Sequence, residues 1–85
     1  MTDLEFDVID ELYFVTAFNE LEQNLSLSRS DLQSILKSLI EKGWVKCLKD
    51  VSEELVFDEV EFDQNYSNYY YLATKAGLLA HNSTD

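Results

Sequence analysis

The 85 residues predict one small α+β domain, with three to four helices and a sheet of two or three strands. Three observations lead there. Leu32, Ile35, Leu36, Leu39 and Ile40 repeat at the 3.6-residue period of a helix with one apolar side. Residues 44–48 and 69–73 alternate instead, with the two-residue period of a strand. A hydrophobic content of 46% in a chain of this length supplies one packed core and is too small for two.

The elements follow in order. Thr2 and Glu5 have capping-box spacing, so a first helix begins at residue 3. Leu4, Val8 and Leu12 form its apolar side, with Ile9 and Tyr13 beside them. Tyr13, Phe14 and Val15 suit a short extended link. Thr16 is expected to cap a second helix over residues 17–24, with Phe18, Leu21 and Leu25 inward. Ser28 caps the third helix, and Asp31 suits its positive end. Gly43 stops that helix where a left-handed residue is favoured. Residues 44–48 then form a strand, with Val45 and Cys47 on one side, and residues 69–73 are its partner. The connection at 49–68 is long for a hairpin. Leu55 and Phe57 fit a strand there, while Val56 and Val60 fit a helix, so its form stays open. Thr74 caps a last short helix over residues 75–81, and residues 82–85 are expected to be a loose tail. The expected core is Val8, Ile9, Leu12, Phe18, Leu21, Leu32, Ile35, Leu36, Leu39, Ile40, Val45, Leu78 and Leu79.

Charge is unevenly spread. The chain carries 17 acids and 6 bases, for a net charge of −11. Residues 1–25 contribute −7, residues 26–49 contribute +3, residues 50–63 contribute −7, and the remainder is neutral. The one basic island is therefore the middle of the chain, and the overall field disfavours nucleic acid and anionic lipid.

Several chemistries are not expected. A single Cys forms no internal disulfide, and one Cys with one His builds no closed zinc site. Cys47 reads as a buried core thiol and His81 as a solvated tail residue. Only Gly43 and Gly77 are glycines, so no phosphate-cradling loop is present. The acids of residues 50–63 lack the glycine-turned, alternating ligands of a calcium loop. No enzyme, cofactor, metal or small-molecule ligand is expected. The acidic start is unlike a secretory signal, and no apolar run is long enough to span a membrane, so a cytoplasmic protein is expected.

Three stretches carry a resemblance: residues 25–32 (Leu-Ser-Leu-Ser-Arg-Ser-Asp-Leu), 39–45 (Leu-Ile-Glu-Lys-Gly-Trp-Val) and 71–77 (Tyr-Leu-Ala-Thr-Lys-Ala-Gly). With the order helix, link, helix, helix, strand, loop, strand, the chain resembles the winged helix-turn-helix superfamily. The likeness implies a winged-helix domain over residues 1–81 whose wing is the acidic segment 49–68. The superfamily includes DNA readers and protein-interaction modules. In DNA readers the third helix enters the major groove, which would make Arg29, Ser30, Gln33, Ser34, Lys37 and Ser38 the contacting residues here. Gln33 would suit adenine and Arg29 guanine or phosphate. Two positions often basic in such readers are Ser34 and Ser38 here, and the wing is acidic where a base is usual.

The acidic wing reads either as a solvated loop, as a docking surface for a basic partner, or as a cation site. The tyrosines add a second signal. Tyr66, Tyr69, Tyr70 and Tyr71 gather near Trp44 and Phe62, with Tyr69 and Tyr71 on one side of the strand and Tyr70 and Leu72 on the other. Aromatics on an open sheet favour an interface. The resulting expectation is a non-catalytic interaction module, self-associating as a dimer or binding another protein through Glu59, Glu61, Tyr69, Tyr70 and Trp44. The alternative is a DNA-binding transcription regulator that uses the third helix.

Overall fold

The computed structural model describes residues 1–83. Helix α1 (Asp3–Asp10) opens on a complete capping box. The Thr2 hydroxyl accepts from the Glu5 N–H at 3.1 Å, and the Glu5 carboxylate accepts from the Thr2 N–H at 2.9 Å. Val8, Ile9 and Leu12 are buried as expected. Leu4 is exposed. Glu5 takes the buried place in this first turn, because Lys42 reaches its carboxylate.

Thr16 does not cap the second helix. It lies in β1 (Thr16–Ala17) and pairs with Tyr71, while its hydroxyl donates to the carbonyls of Glu11 and Phe14 at 3.2 and 2.8 Å. Ala17 is the N-cap of α2 (Phe18–Leu25), without a side-chain bond. Sheet pairing with a residue 55 positions away overrides the local capping preference. Helix α3 (Arg29–Glu41) starts where expected, with the Ser28 hydroxyl accepting from the Asp31 N–H at 3.1 Å. It ends at Gly43, whose φ is +78°. The Gly43 N–H donates to the Ile40 carbonyl and the Trp44 N–H to the Leu39 carbonyl, which satisfies two of the helix's open acceptors.

Strand β2 (Val45–Leu48) follows. The segment left open in the sequence has two parts. Residues 49–55 fold back on β2, with the Lys49 N–H donating to Glu53 and the Leu55 N–H to Cys47. Asp58 then caps a short helix, α4 (Glu59–Asn65), by accepting from the Glu61 N–H at 3.0 Å. A 3₁₀ turn (Tyr66–Asn68) leads into β3 (Tyr70–Ala73), and Thr74 caps α5 (Lys75–Asn82). The sheet is antiparallel with the order β1-β3-β2, and Val45 faces Ala73 while Cys47 faces Tyr71. The described residues thus form an α+β domain of five helices and three strands, one helix more than expected because α4 lies within the long connection.

The core joins Val8, Ile9, Leu12, Phe18, Leu21, Leu32, Leu36, Leu39 and Val45 to Phe62, Tyr71, Cys47 and Ala73. Ile35, Ile40 and Leu78 pack against it half-buried. Leu79 is a correction: it is 58% exposed. Helix α5 turns Gly77 and His81 inward instead, four residues apart on one side, which leaves Leu79 facing out. Gly77 lies so close to the backbone of Trp44, just before β2, that an added Cβ would clash with the Trp44 carbonyl. His81 is the second correction. It is only 7% exposed, stacks on Phe6 at 3.9 Å between ring centres, and meets the Tyr13 hydroxyl at 3.0 Å through Nδ1. Asn82 closes α5 rather than opening the tail, and residues 84–85 of that tail lie outside the described residues.

Candidate functional site

The acidic segment folds back over the third helix. Gln33 and Lys37 are one turn apart on α3, and Glu59 and Asp63 are one turn apart on α4, so the two sides meet as matched pairs. Lys37 Nζ lies 2.8 Å from the Glu59 carboxylate and 3.4 Å from that of Asp63. The Gln33 amide donates to Asp63 at 3.2 Å. The Glu59 hydrogen bond, helped by the charges of Asp63 and Glu59, raises the Lys37 pKa against a smaller opposing effect of burial. Phe62 is the residue of α4 that enters the core. Its ring is fully buried, 5.6 Å from Phe57, 6.0 Å from Tyr66 and 6.5 Å from Tyr71 between ring centres.

The rest of the basic island is also engaged. Arg29 pairs with Glu22 at 3.3 Å and lies over the Phe18 ring. Lys42 pairs with Glu5 at 2.6 Å and lies over the Trp44 ring at 5.0 Å. Lys46 meets Glu54 at 3.0 Å, and Lys49 meets Glu53 at 4.0 Å. Burial alone would raise the Glu5 pKa. The Lys42 hydrogen bond and charge, with the Thr2 N–H, outweigh it and hold that carboxyl below its ordinary value. The five bases that make residues 26–49 positive are therefore each within 4.0 Å of a carboxylate from elsewhere in the chain.

The residues proposed for DNA contact divide accordingly. Arg29, Gln33 and Lys37 are bonded within the chain. Ser30 is exposed, while Ser34 and Ser38 line an open groove of about 300 Å³ between α1 and α3, with Ile35, Glu5 and Lys42. The residues proposed for partner contact are split as well. Glu61 and Tyr69 come together beside Cys47 at a void of about 10 Å³, room for roughly one water molecule. Burial and the nearby Glu61 carboxylate raise the Tyr69 pKa. Tyr70 is half-buried on the sheet side away from Tyr71. Trp44 is half-buried under Lys42, at the opposite end of the β2–β3 ladder from Tyr70. Tyr71 is enclosed in the core and donates its hydroxyl to the Tyr66 carbonyl at 2.7 Å, and burial pushes its phenol pKa up.

The candidate acidic surface also holds residues that the sequence reading did not nominate. Val51 and Val60 are mostly exposed, and Val56 is 95% exposed. Their position among carboxylates was the available signal, since an apolar residue in such a run has no solubility role. Cys47 is buried in β2, and burial raises its thiol pKa. His81 lies instead among Phe6, Tyr13 and Asp10. Among the described residues no group of three or more His, Cys, Asp or Glu is placed to hold a metal ion, and no helix is long and apolar enough to cross a membrane. Compared with protein families, curated proteins and solved structures, the chain matches none.

Proposed function

We propose that this chain is a non-catalytic winged-helix interaction module that binds protein through its acidic wing and the adjoining Tyr69–Tyr70 stretch. The order of elements, with a two-residue strand between the first two helices and a β1-β3-β2 sheet, supports the winged-helix reading. The observation that carries the functional reading is the closure of α4 on α3. Glu59 and Asp63 occupy Lys37 and Gln33, the residues a DNA reader would need free. Phosphate approaching this helix meets a carboxylate layer, which opposes the counterion release that drives nonspecific DNA binding. Glu61, Val56 and Val60 stay exposed on the same segment, where a basic partner with apolar anchors fits best.

The alternative, a DNA-binding regulator, needs α3 uncovered. Binding to random duplex DNA at low ionic strength decides between them, because low salt favours even weak phosphate contact. We expect no saturable binding by the wild type. Saturable binding that weakens as salt rises would overturn the protein-binding reading. In the same assay Glu59→Gln with Asp63→Asn, which frees Lys37, measures how much of the exclusion comes from this layer.

A further inference from the structure

The sheet has a second apolar side. Cys47 and Tyr71, which pair across β2 and β3, belong to the core. Alternation sends Lys46 and Leu48 of β2, and Tyr70 and Leu72 of β3, to the opposite side. Leu48 is only 5% exposed, yet neither it nor Tyr70 nor Leu72 belongs to the core cluster. The chain returning after β2 widens this side. Glu54 bridges to Leu48, and Lys46 Nζ reaches the Glu54 carboxylate at 3.0 Å, so acid and base share the side with Leu48. Leu55 then packs against the core, and Val56 follows at the strand period, 95% exposed.

We propose that this sheet side binds a second copy of the chain, face to face across a two-fold axis. The inference rests on the protein-binding reading and names one further partner for the Tyr70 surface. Two copies of net charge −11 repel across most of their area, so contact needs a patch whose own charges cancel. Lys46 and Glu54 supply that patch. A two-fold contact must also be self-complementary. Glu54 lies opposite Leu48, and Lys46 lies two residues before Leu48, so the two charges flank Leu48 on the diagonal. An axis laid in the face between them sets Lys46 of each copy over Glu54 of the other. It sets Leu48, Tyr70 and Val56 against their own counterparts. Sheets packed face to face stand about 10 Å apart, a gap that side chains of this size fill. Helix α4 packs on the other side of the sheet, where Phe62 meets Tyr71, so its carboxylates stay free for a basic partner.

Sedimentation equilibrium over a range of protein concentrations tests the proposal. The wild type is expected to dimerise reversibly. Tyr70→Ala and the surface variant Val56→Ser are each expected to weaken the dimer by about tenfold or more. Lys46→Glu gives the face two acids and Glu54→Lys gives it two bases, so each variant alone is expected to weaken by a similar factor. Both lose the same intrachain ion pair. Mixed together, they are expected to form a dimer tighter than either variant forms alone, because an acidic face then meets a basic one. Damage to the fold would not produce that recovery. Circular dichroism confirms that each variant is folded. A wild type that stays monomeric throughout overturns the proposal. So does a dimer unmoved by Tyr70→Ala and Val56→Ser, or a mixture no tighter than its two components. The duplex DNA assay reads the protein-binding reading separately, so its failure is distinct from these.

Discussion

Helix α3 is flanked on two sides by the same chemistry in two settings. On one flank Lys37 meets Glu59 and Asp63 of α4, with both carboxylates exposed. On the other Lys42 meets Glu5 of α1, whose side chain is 6% exposed. Both contacts join a lysine to a carboxylate from a distant element. Only the second takes the carboxylate out of water. Removing one partner of a buried pair leaves an uncompensated group, whereas exposed pairs are worth little because water solvates both halves. The α4 flank must therefore be held by something else, and Phe62 is the candidate. The comparison separates how α4 is anchored from what its charges do.

The largest effect expected on this comparison is that of Phe62→Ala. The side chain is fully buried at the junction of Phe57, Tyr66 and Tyr71, so truncation leaves a cavity beneath α4. A loss of about 3–5 kcal/mol is expected in urea unfolding. A loss below about 1 kcal/mol would mean that α4 is not anchored by packing, and the contrast between the flanks would fail.

Glu5→Gln comes next and reports on the buried flank. Glutamine keeps the size and can still accept from the Thr2 N–H, but it loses the charge that meets Lys42. About 1–2 kcal/mol should be lost at neutral pH. The folded-state pKa of Glu5 is lowered, so its contribution is complete above the unfolded glutamate value, about 4.3, and disappears as pH falls through the lower folded value. The wild type and Glu5→Gln should therefore differ most at neutral pH and converge in acid. Unfolding curves recorded from neutral to acid pH check this. A gap that stays constant across that range would assign the loss to packing rather than to the ion pair.

How far the sequence could anticipate these flanks depends on the range of the forces involved. Thr2, Ser28, Thr74 and Gly43 were legible because caps and stops use residues three or four positions apart. The apolar stripe of α3 was legible because periodicity is local, and Leu32, Leu36 and Leu39 are buried as it requires. Thr16 was misread because its strand pairing depends on Tyr71, far along the chain. Leu79 was misread because periodicity on so short a helix does not say which side faces inward. The close approach of Gly77 to Trp44 decides that. His81 looked like a tail residue because nothing near it in sequence announces Phe6 and Tyr13. At the candidate site, the residue types of the acidic segment were readable, but its destination was not. Whether Glu59 and Asp63 face solvent or Lys37 is a tertiary fact, set by where Phe62 is buried.

The smallest effect is expected from Lys37→Ala, and it makes the sharpest test of the comparison. The substitution removes both ion pairs that join α4 to α3 and leaves Phe62 untouched. Because the carboxylates are exposed, they regain water once the lysine is gone, and the loss of stability in urea unfolding should be the smallest of the three variants. Glu59 and Asp63 then lose their cation, so the surface of α3 becomes more negative while the fold is unchanged. Amide hydrogen exchange across residues 59–65 should remain close to that of the wild type, since opening of α4 is limited by Phe62. A fast-exchanging α4 in Lys37→Ala would show instead that the ion pairs hold the helix down. The exposed flank would then resemble the buried one, and α4 would be a cover that a competing charge could lift.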